Sequence, residues 1–125
     1  MPDNKPFPKI ILVVDDDQAI LHLMKLQLES EGYAVIGEAT GGEALERIKK
    51  ANFFAVLCDL GLPDMSGFEV LKAIKAMRPG LPVIVVTGNH EEKEGRRAFE
   101  LGALEYITKP IDFNYLKNIL LLNSN

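Results

Sequence analysis

The sequence predicts one α/β domain, a doubly wound, five-stranded parallel sheet with five helices on its two faces. Short apolar runs rich in Val and Ile alternate with amphipathic stretches five times along the 125 residues. Several of these runs contain no polar residue, which is typical of strands that helices cover on both faces. Right-handed crossovers between such parallel strands place the helices on both sides of the sheet.

The first strand and helix are predicted between residues 10 and 32. Ile10–Val14 is wholly apolar and ends at Asp15. Residues 17–31 then carry apolar side chains at helical spacing, namely Ile20, Leu21, Met24 and Leu28. Gly32 follows where a helix end favours a left-handed residue, so the first helix is expected to stop there.

The second strand and helix are predicted to follow directly. A strand at 34–37 leads to Thr40, and Glu43 three residues later gives the spacing of a capping box. The helix that begins there would direct Ala44, Leu45 and Ile48 towards the core.

The third strand is predicted at 54–58, because this apolar run also ends at an aspartate, Asp59. A loop marked by Gly and Pro follows, and Ser66 with Glu69 repeats the capping-box spacing. The third helix would bury Phe68, Leu71, Ile74 and Met77, and it would end before Pro79-Gly80.

The fourth strand and helix give the strongest strand signal and the weakest helix signal of the chain. Residues 82–86 are the most β-prone segment and run directly into Thr87. Residues 91–101 predict a helix that Gly95 interrupts and that has few apolar residues, so this segment is expected to be mobile.

The last strand and helix complete the alternation. A short strand at 104–108 precedes Lys109-Pro110. Asp112 is positioned to cap a final helix, whose apolar side would consist of Phe113, Leu116, Ile119 and Leu120.

Carboxylate, hydroxyl and amino side chains come directly after four of the predicted strands. Sheets of this kind bind ligands beyond the carboxyl ends of their strands, near the point where the strand order reverses. Because parallel strands end at a common edge, residues far apart in the chain are expected to meet there. The set comprises Asp15, Asp16, Asp59, Thr87 and Lys109.

The three carboxylates of this set would repel each other unless they were protonated or shared a cation. A hard divalent ion is the simpler solution, and Mg²⁺ or Mn²⁺ suits such oxygen ligands. A phosphoryl group is then the implied guest, with Lys109 supplying positive charge and Thr87 a hydroxyl donor. Asp59 is the predicted nucleophile, because a carboxylate at the mouth of a central strand can form a mixed anhydride with phosphate.

Four segments resemble the receiver domains of bacterial two-component response regulators, and the similarity extends over roughly residues 9–122. The segments are ILVVDDD, VLCDLGLPDMSGFE, VIVVTG and YITKP, each at the end of a predicted strand. The resemblance implies a flavodoxin-like sheet with strand order 2-1-3-4-5, as in chemotaxis regulators. It also implies a division of the chain into an N-terminal tail, 1–8, and a receiver domain, 9–125.

The resemblance further implies a role for each site residue. Asp59 would be the phosphoacceptor, and Asp16, Asp59 and the backbone carbonyl of Gly61 would bind Mg²⁺ directly. Asp15 would act on the cation mainly through water. Thr87 and Lys109 would contact the phosphoryl oxygens.

Two further residues are implied to take part in switching or in backbone geometry. Tyr106 matches the switch aromatic of the family, which turns inward when Thr87 moves towards the phosphoryl group. Pro110 is expected after a cis peptide bond.

The expected phosphodonor is the phosphohistidine of a sensor histidine kinase or phosphotransfer protein. Output would pass through the surface of helix 4, strand 5 and helix 5, to an output domain or a second copy of the chain.

Two positions depart from the commonest pattern of that family. Gly61 has no side chain where a longer one is frequent, and Asn89 lies two residues after Thr87 at another position that modulates phosphoryl lifetime. The departures bear on the turnover rate of the phosphoryl group and not on the chemistry. At most, self-phosphorylation from small phosphodonors and slow autodephosphorylation are expected of this signalling module.

Composition and charge exclude several other classes. A net charge of -4 with no long basic run disfavours direct nucleic-acid binding. The single cysteine, Cys58, cannot form an intramolecular disulfide, which fits a cytoplasmic protein. No apolar run approaches the roughly 18 residues that a membrane-spanning helix needs, and residues 1–9 lack the core of a signal peptide.

Several polar residues have simpler interpretations. Asp17 is predicted to be only a helix cap, and Cys58 a small core residue. His22 and His90 are expected to be solvated or merely hydrogen-bonded. Tyr106 as a static, half-buried core residue stays open as an alternative. The apolar end at 119–122 exceeds what one helical face buries, which indicates a partner surface or continuation into a longer protein.

Two functions from other classes stay open at this level. A phosphatase of the haloacid dehalogenase type also forms an aspartyl phosphate at a strand end, but its general acid would be expected at the position of Gly61. A nucleotide-binding or flavin-binding module would use the same kind of sheet. The sequence lacks the Gly-rich fingerprints that such modules use for phosphate.

Overall fold

The computed structural model describes residues 8–88 and 91–124 and confirms the predicted α/β fold. Five parallel strands form one sheet in the order β2-β1-β3-β4-β5, as expected. The elements in chain order are β1 Ile10–Val14, α1 Gln18–Glu29, β2 Ala34–Glu38, α2 Gly41–Lys50, β3 Ala55–Cys58, α3 Gly67–Met77, β4 Val83–Thr87, α4 Glu92–Glu100, β5 Glu105–Thr108 and α5 Phe113–Leu122.

The sheet separates two hydrophobic cores. On one face, strand residues such as Leu12 and Val56 pack against α2, α3 and α4. On the other face, strand residues such as Ile11 and Leu57 pack against α1 and α5. Successive side chains of a strand point to opposite faces, so wholly apolar strands supply both cores at once. β1 and β3 are therefore buried almost completely at the centre of the molecule.

The predicted side-chain caps form at Asp17, Thr40 and Asp112, but the Glu43 carboxylate bonds to the Thr40 hydroxyl and not, as in a complete capping box, to the Thr40 amide. Asp17 accepts hydrogen bonds from the backbone of Ala19 and Ile20, and Asp112 accepts from residues two and three positions after it. Thr40 accepts from the Glu43 backbone and donates to its carboxylate. Asp17 is thus a cap, as expected.

Ser66 also begins its helix, but the capping box predicted with Glu69 does not form. The Ser66 hydroxyl accepts instead from the Phe68 backbone, at 3.1 Å. The Glu69 amide bonds to the Ser66 carbonyl. The hydroxyl therefore satisfies a different one of the free amides at the helix start.

Strand ends differ from the prediction by one residue where neighbouring strands extend the pairing. Glu38 pairs with Val14, so β2 reaches one residue further than expected. Thr87 pairs with Thr108, which makes Thr87 the last residue of β4 and not the first residue after it. These bonds depend on the neighbouring strand, which a local apolar pattern does not contain.

The remaining backbone expectations have mixed outcomes. Gly32 adopts the left-handed conformation, with φ 93°, that the end of α1 was expected to need. The Lys109-Pro110 peptide bond is cis, as expected. Gly95 lies inside α4, which contains only one buried residue, Ala98.

Asn89 and His90, and all of the expected tail except Pro8, lie outside the described residues. Among the described residues, no helix is long and apolar enough to cross a membrane.

Candidate functional site

Three carboxylates from two strand ends meet at the carboxyl edge of the sheet. One oxygen from each of Asp15, Asp16 and Asp59 lies within 4.8 Å of the others. Backbone hydrogen bonds fix their positions, since the Asp59 amide donates to the Val14 carbonyl and the Asp15 amide to the Glu38 carbonyl. The convergence expected from the strand ends is therefore present.

The ammonium of Lys109 lies between two of these carboxylates. Its Nζ donates to Asp15 Oδ2 at 2.8 Å and to Asp59 Oδ2 at 3.0 Å. The side chain of Lys109 is 21% exposed, that of Asp15 4% and that of Asp59 12%, so the contacts are partly shielded from water. A lysine that follows β5 thus reaches aspartates that follow β1 and β3.

Burial and charge act in opposite directions on the ionisation of this cluster. Burial raises the pKa of Asp15, and the Asp59 charge adds to that effect, while bonds from Lys109 and the Asp17 amide oppose it incompletely. Burial alone would lower the pKa of Lys109, but the hydrogen bonds and charges of Asp15 and Asp59 outweigh it and raise that pKa. Lys109 is therefore firmly protonated, and one positive charge faces three carboxylates.

The second oxygen of Asp59 faces the loop that follows β3. Asp59 Oδ1 accepts a hydrogen bond from the Gly61 amide at 3.3 Å. Gly61 is exposed, and a Cβ built on it would meet nothing within 4 Å, so no steric need for glycine exists at this position. The backbone of Gly61 is adjacent to the carboxylates in the chain, as a carbonyl ligand at this site requires.

Thr87 lies at the same edge of the sheet, beside Lys109. It is the last residue of β4, it is 4% exposed, and its carbonyl accepts a hydrogen bond from the Lys109 amide at 2.8 Å. Tyr106 lies in β5, two residues before Thr108, and its ring faces α4. The nearest ring atom would be 3.5 Å from a Cβ built on Gly95. The two residues therefore connect the carboxylate edge to α4 through β4 and β5.

A pocket of about 420 Å³ lies between α4 and β5. It is lined by Glu91, Glu92, Gly95, Arg96, Phe99, Tyr106 and Thr108. Burial raises the pKa of the Tyr106 phenol, and the charges of Glu94 and Glu91 add to that effect. The half-buried ring of Tyr106 thus separates the core from an open acidic groove.

Asp64 is a contributor to the site region that the sequence reasoning missed. Its carboxylate accepts hydrogen bonds from the backbone amides of Gly41 and Gly42, at 2.9 and 2.8 Å. Both partners are backbone groups 22 and 23 residues away, so no side-chain pattern indicates the contact. The adjacent glycines at the start of α2 are the only sequence signal that could have suggested a close approach.

The donor set fits a hard divalent cation. All of the candidate ligand atoms are oxygens, two of the carboxylates are partly exposed, and the cluster carries more negative than positive charge. Mg²⁺ prefers oxygen ligands and retains water, for which the exposed side of Asp16 leaves access. Cys58 does not join the set, because its side chain is fully buried and burial raises the pKa of its thiol.

Fold and site together define the class of this protein, a doubly wound α/β module with a cluster of three carboxylates and one ammonium at the carboxyl edge of its sheet. The family model for the response regulator receiver domain matches residues 11–121. The chain belongs to this family, and it is a receiver domain of a two-component response regulator. Receiver domains bind Mg²⁺ at an acidic pocket, which agrees with the carboxylate cluster.

Similar proteins support the assignment. The transcriptional regulatory protein ZraR of Escherichia coli K12 is 38% identical over 110 residues, which are 88% of this chain and 25% of that protein. GlrR of the same organism is 34% identical over 105 residues, 84% of this chain and 24% of that protein. The chain thus spans about a quarter of the length of these curated relatives.

Solved structures agree in fold. A CheY-like receiver domain protein from Methanospirillum hungatei JF-1 is 41% identical, with a TM-score of 0.86 over 93% of this chain and 96% of that one. TrrA from Thermotoga maritima, solved in complex with Mg²⁺-BeF, is 31% identical, with a TM-score of 0.84 over 92% of this chain and 98% of that one.

The family match gives the phosphatase alternative no support, and receiver domains are generally signalling proteins and not enzymes.

Proposed function

We propose that Asp59 accepts a phosphoryl group from a phosphohistidine and that this modification switches the α4, β5 and α5 surface. The observation that carries the proposal is the double contact of Lys109 with Asp15 and Asp59. It places the partly buried ammonium of Lys109 beside the carboxylate at the end of β3, where incoming phosphate would need positive charge.

The chemistry is a transfer between two nucleophiles. A carboxylate oxygen of Asp59 forms a bond to phosphorus while the bond between phosphorus and the donor imidazole nitrogen breaks, and the electron pair of that bond stays with the imidazole. Lys109 and the Thr87 hydroxyl are proposed to contact the phosphoryl oxygens and to offset the negative charge that the phosphoryl group adds to the site.

Asp16, Asp59 and the Gly61 carbonyl are proposed to hold Mg²⁺ directly, and Asp15 mainly through a bound water. When bound, the cation supplies the positive charge that lets a phosphoryl group approach three carboxylates. The supporting observations are the 4.8 Å grouping of the carboxylate oxygens and the excess of negative charge. Lys109, which Asp15 also binds, then holds the Asp59 carboxylate in a fixed orientation for attack.

Output is proposed to depend on Thr87 and Tyr106. Thr87 lies two residues after Val85, which pairs with Tyr106 in the adjacent strand, so Thr87 and Tyr106 lie on the same face of the sheet. A shift of Thr87 towards the phosphoryl group would therefore change the space beside Tyr106. The groove between α4 and β5 leaves room for the ring to change position. An output domain or a second copy of the chain would read the altered surface, and the phosphodonor would be a sensor histidine kinase or a phosphotransfer protein of the cytoplasm.

Phosphorylation by acetyl phosphate tests the acceptor. We expect Mg²⁺-dependent addition of one phosphoryl group, seen by mass spectrometry as a base-labile modification, and none in Asp59→Asn. Asp112→Asn is the matched control, since it replaces another aspartate after a strand but leaves the cluster intact. Equal labelling of wild type and Asp59→Asn would refute the assignment.

A further inference from the structure

The loop between β3 and α3, residues 60–66, is closed onto its own ends. The Gly67 amide donates to the Leu60 carbonyl at 2.9 Å, and Gly61 and Ser66 form an isolated antiparallel bridge. A Cβ on Gly67 would lie 2.2 Å from the Asp59 carbonyl oxygen, so the end of the loop touches the backbone of the proposed phosphoacceptor. The two ends of the loop are therefore in direct contact beside Asp59.

The far side of the loop is attached to α2 by Asp64. The amides of Gly41 and Gly42, the first two residues of the helix, donate to the two separate oxygens of the Asp64 carboxylate. The first amides of a helix have no partner within the helix, and Asp64 satisfies two of them. Thr40 satisfies a third, that of Glu43, so the helix has a local cap and a long-range cap together.

Packing beside this contact requires glycine. A Cβ on Gly41 would meet Met65 Cγ at 2.5 Å and Val70 Cγ2 at 2.7 Å, so the loop and α3 lie directly against the helix start. A Cβ on Gly42 would lie 3.3 Å from Asp64 Oδ2. The amides hold the carboxylate in its charged form, since the bonds from Gly42 and Gly41 lower the pKa of Asp64.

We propose that Asp64 is a positioning residue of the phosphorylation site, which anchors the 60–66 loop on α2 and thereby holds Gly61 and Asp59 in the arrangement that binds the divalent cation. The inference rests on the proposed function, because it takes the Gly61 carbonyl as a ligand. The contact joins two elements, since the amides belong to the start of α2 while the carboxylate belongs to the loop whose end lies against the Asp59 carbonyl oxygen.

Two variants, each of which removes a cap from the start of α2, distinguish positioning of the phosphorylation site from simple stabilisation of the helix. Asp64→Ala removes the anchor, and Thr40→Ala removes the local cap without touching the loop. Each is expected to lower the urea midpoint of unfolding. Dissociation constants for Mg²⁺ come from NMR titration of the folded proteins with MgCl₂. We expect ~10-fold weaker binding in Asp64→Ala, as is typical when a supporting contact of a metal site is lost, and less than about twofold change in Thr40→Ala.

A second readout does not involve the cation. Amide hydrogen exchange at Gly67, whose bond closes the loop, is expected to accelerate in Asp64→Ala and to stay unchanged in Thr40→Ala. Asp64→Asn keeps one acceptor oxygen and is expected to lie between Asp64→Ala and wild type in both measurements.

The outcomes are distinguishable. Equal Mg²⁺ affinity in wild type and Asp64→Ala overturns the proposal, and so does a parallel loss in both variants, which would make Asp64 a helix cap only. Failure of wild type to bind Mg²⁺ would refute the proposed function. In that case Gly67 exchange still decides the anchoring, because unchanged exchange in Asp64→Ala overturns it and faster exchange upholds it.

Discussion

Replacing Asp15 by asparagine is expected to stabilise the domain in the absence of divalent cations. Asp15 is 3% exposed and lies within 4.8 Å of two other carboxylates. At an effective dielectric constant of about 20, each of these pairs repels by at least about 3.5 kcal/mol at that separation. The 2.8 Å contact with Lys109 attracts by about 6 kcal/mol on the same scale.

The two repulsions therefore exceed the single attraction by at least about 1 kcal/mol before solvent screening. Solvent screening at the exposed Asp16 reduces the repulsion, while burial of the Asp15 charge adds a cost in the same direction. The pKa of Asp15 is raised, mainly by burial, which likewise indicates that the charged form of Asp15 destabilises the folded state. Asp15→Asn keeps an oxygen for the Asp17 amide and removes the charge. We expect the free energy of unfolding at pH 7 to rise by ~1 kcal/mol.

The pH dependence follows from the direction of that shift. An acid whose pKa is higher in the folded state than in the unfolded state makes folding less favourable as pH rises from the unfolded value, 3.8, through the folded value. Wild type loses stability over that window, while Asp15→Asn has no such loss from this residue. The advantage of the variant is therefore expected to vanish once pH falls below 3.8.

Urea unfolding followed by circular dichroism measures both effects, in chelator and in MgCl₂. At a Mg²⁺ concentration 100 times the dissociation constant, wild type should gain about 2.7 kcal/mol, and the variant less at the same concentration. Asp112→Asn is the control, because an exposed helix cap tolerates asparagine and should change little. The charge reasoning would be wrong if Asp15→Asn were no more stable than wild type at pH 7 in chelator. It would also be wrong if the stability gain of the variant at pH 3 equalled its gain at pH 7.

Two other expectations test the packing next to the site. Gly67→Ala should destabilise the domain by more than about 2 kcal/mol in urea unfolding, because its Cβ would lie 2.2 Å from the Asp59 carbonyl oxygen. Gly80→Ala, with nothing within 4 Å, should change it by less than about 0.5 kcal/mol, and equal effects would contradict the close approach. Cys58 should resist alkylation at pH 8 in the folded protein and react in urea, since burial raises the pKa of its thiol. Rapid labelling without urea would show that β3 opens.

The sequence predicted the order and type of all ten elements, because wholly apolar strands and amphipathic helices differ in period. Strand ends were less predictable, since Thr87 joins β4 only through its pairing with Thr108. The helix at 91–101 was expected despite Gly95, and α4 forms with that glycine against the ring of Tyr106. The physical reason is that tertiary contact, and not intrinsic propensity, decides a weak helix.

The site was predictable wherever a side chain follows a strand and unpredictable wherever a backbone group is the partner. Asp15, Asp59 and Lys109 come together because parallel strands end at one edge. Asp64 was missed because its partners are two glycine amides. Predicting such a contact would require the path of the loop after β3, which depends on how closely α2 and α3 approach.

Lys109 also connects the stability of the site to its proposed chemistry. In the absence of ligands its ammonium is shared by Asp15 and Asp59, and it offsets part of their repulsion. A phosphoryl group on Asp59 would compete for the same ammonium, so Lys109 would have to exchange carboxylate partners for phosphoryl oxygens. Asp15 would then lose the positive charge of Lys109 beside it, and a cation bound by the carboxylates would replace that positive charge. Cation binding and phosphorylation are therefore expected to favour each other, because each removes a cost that the other creates.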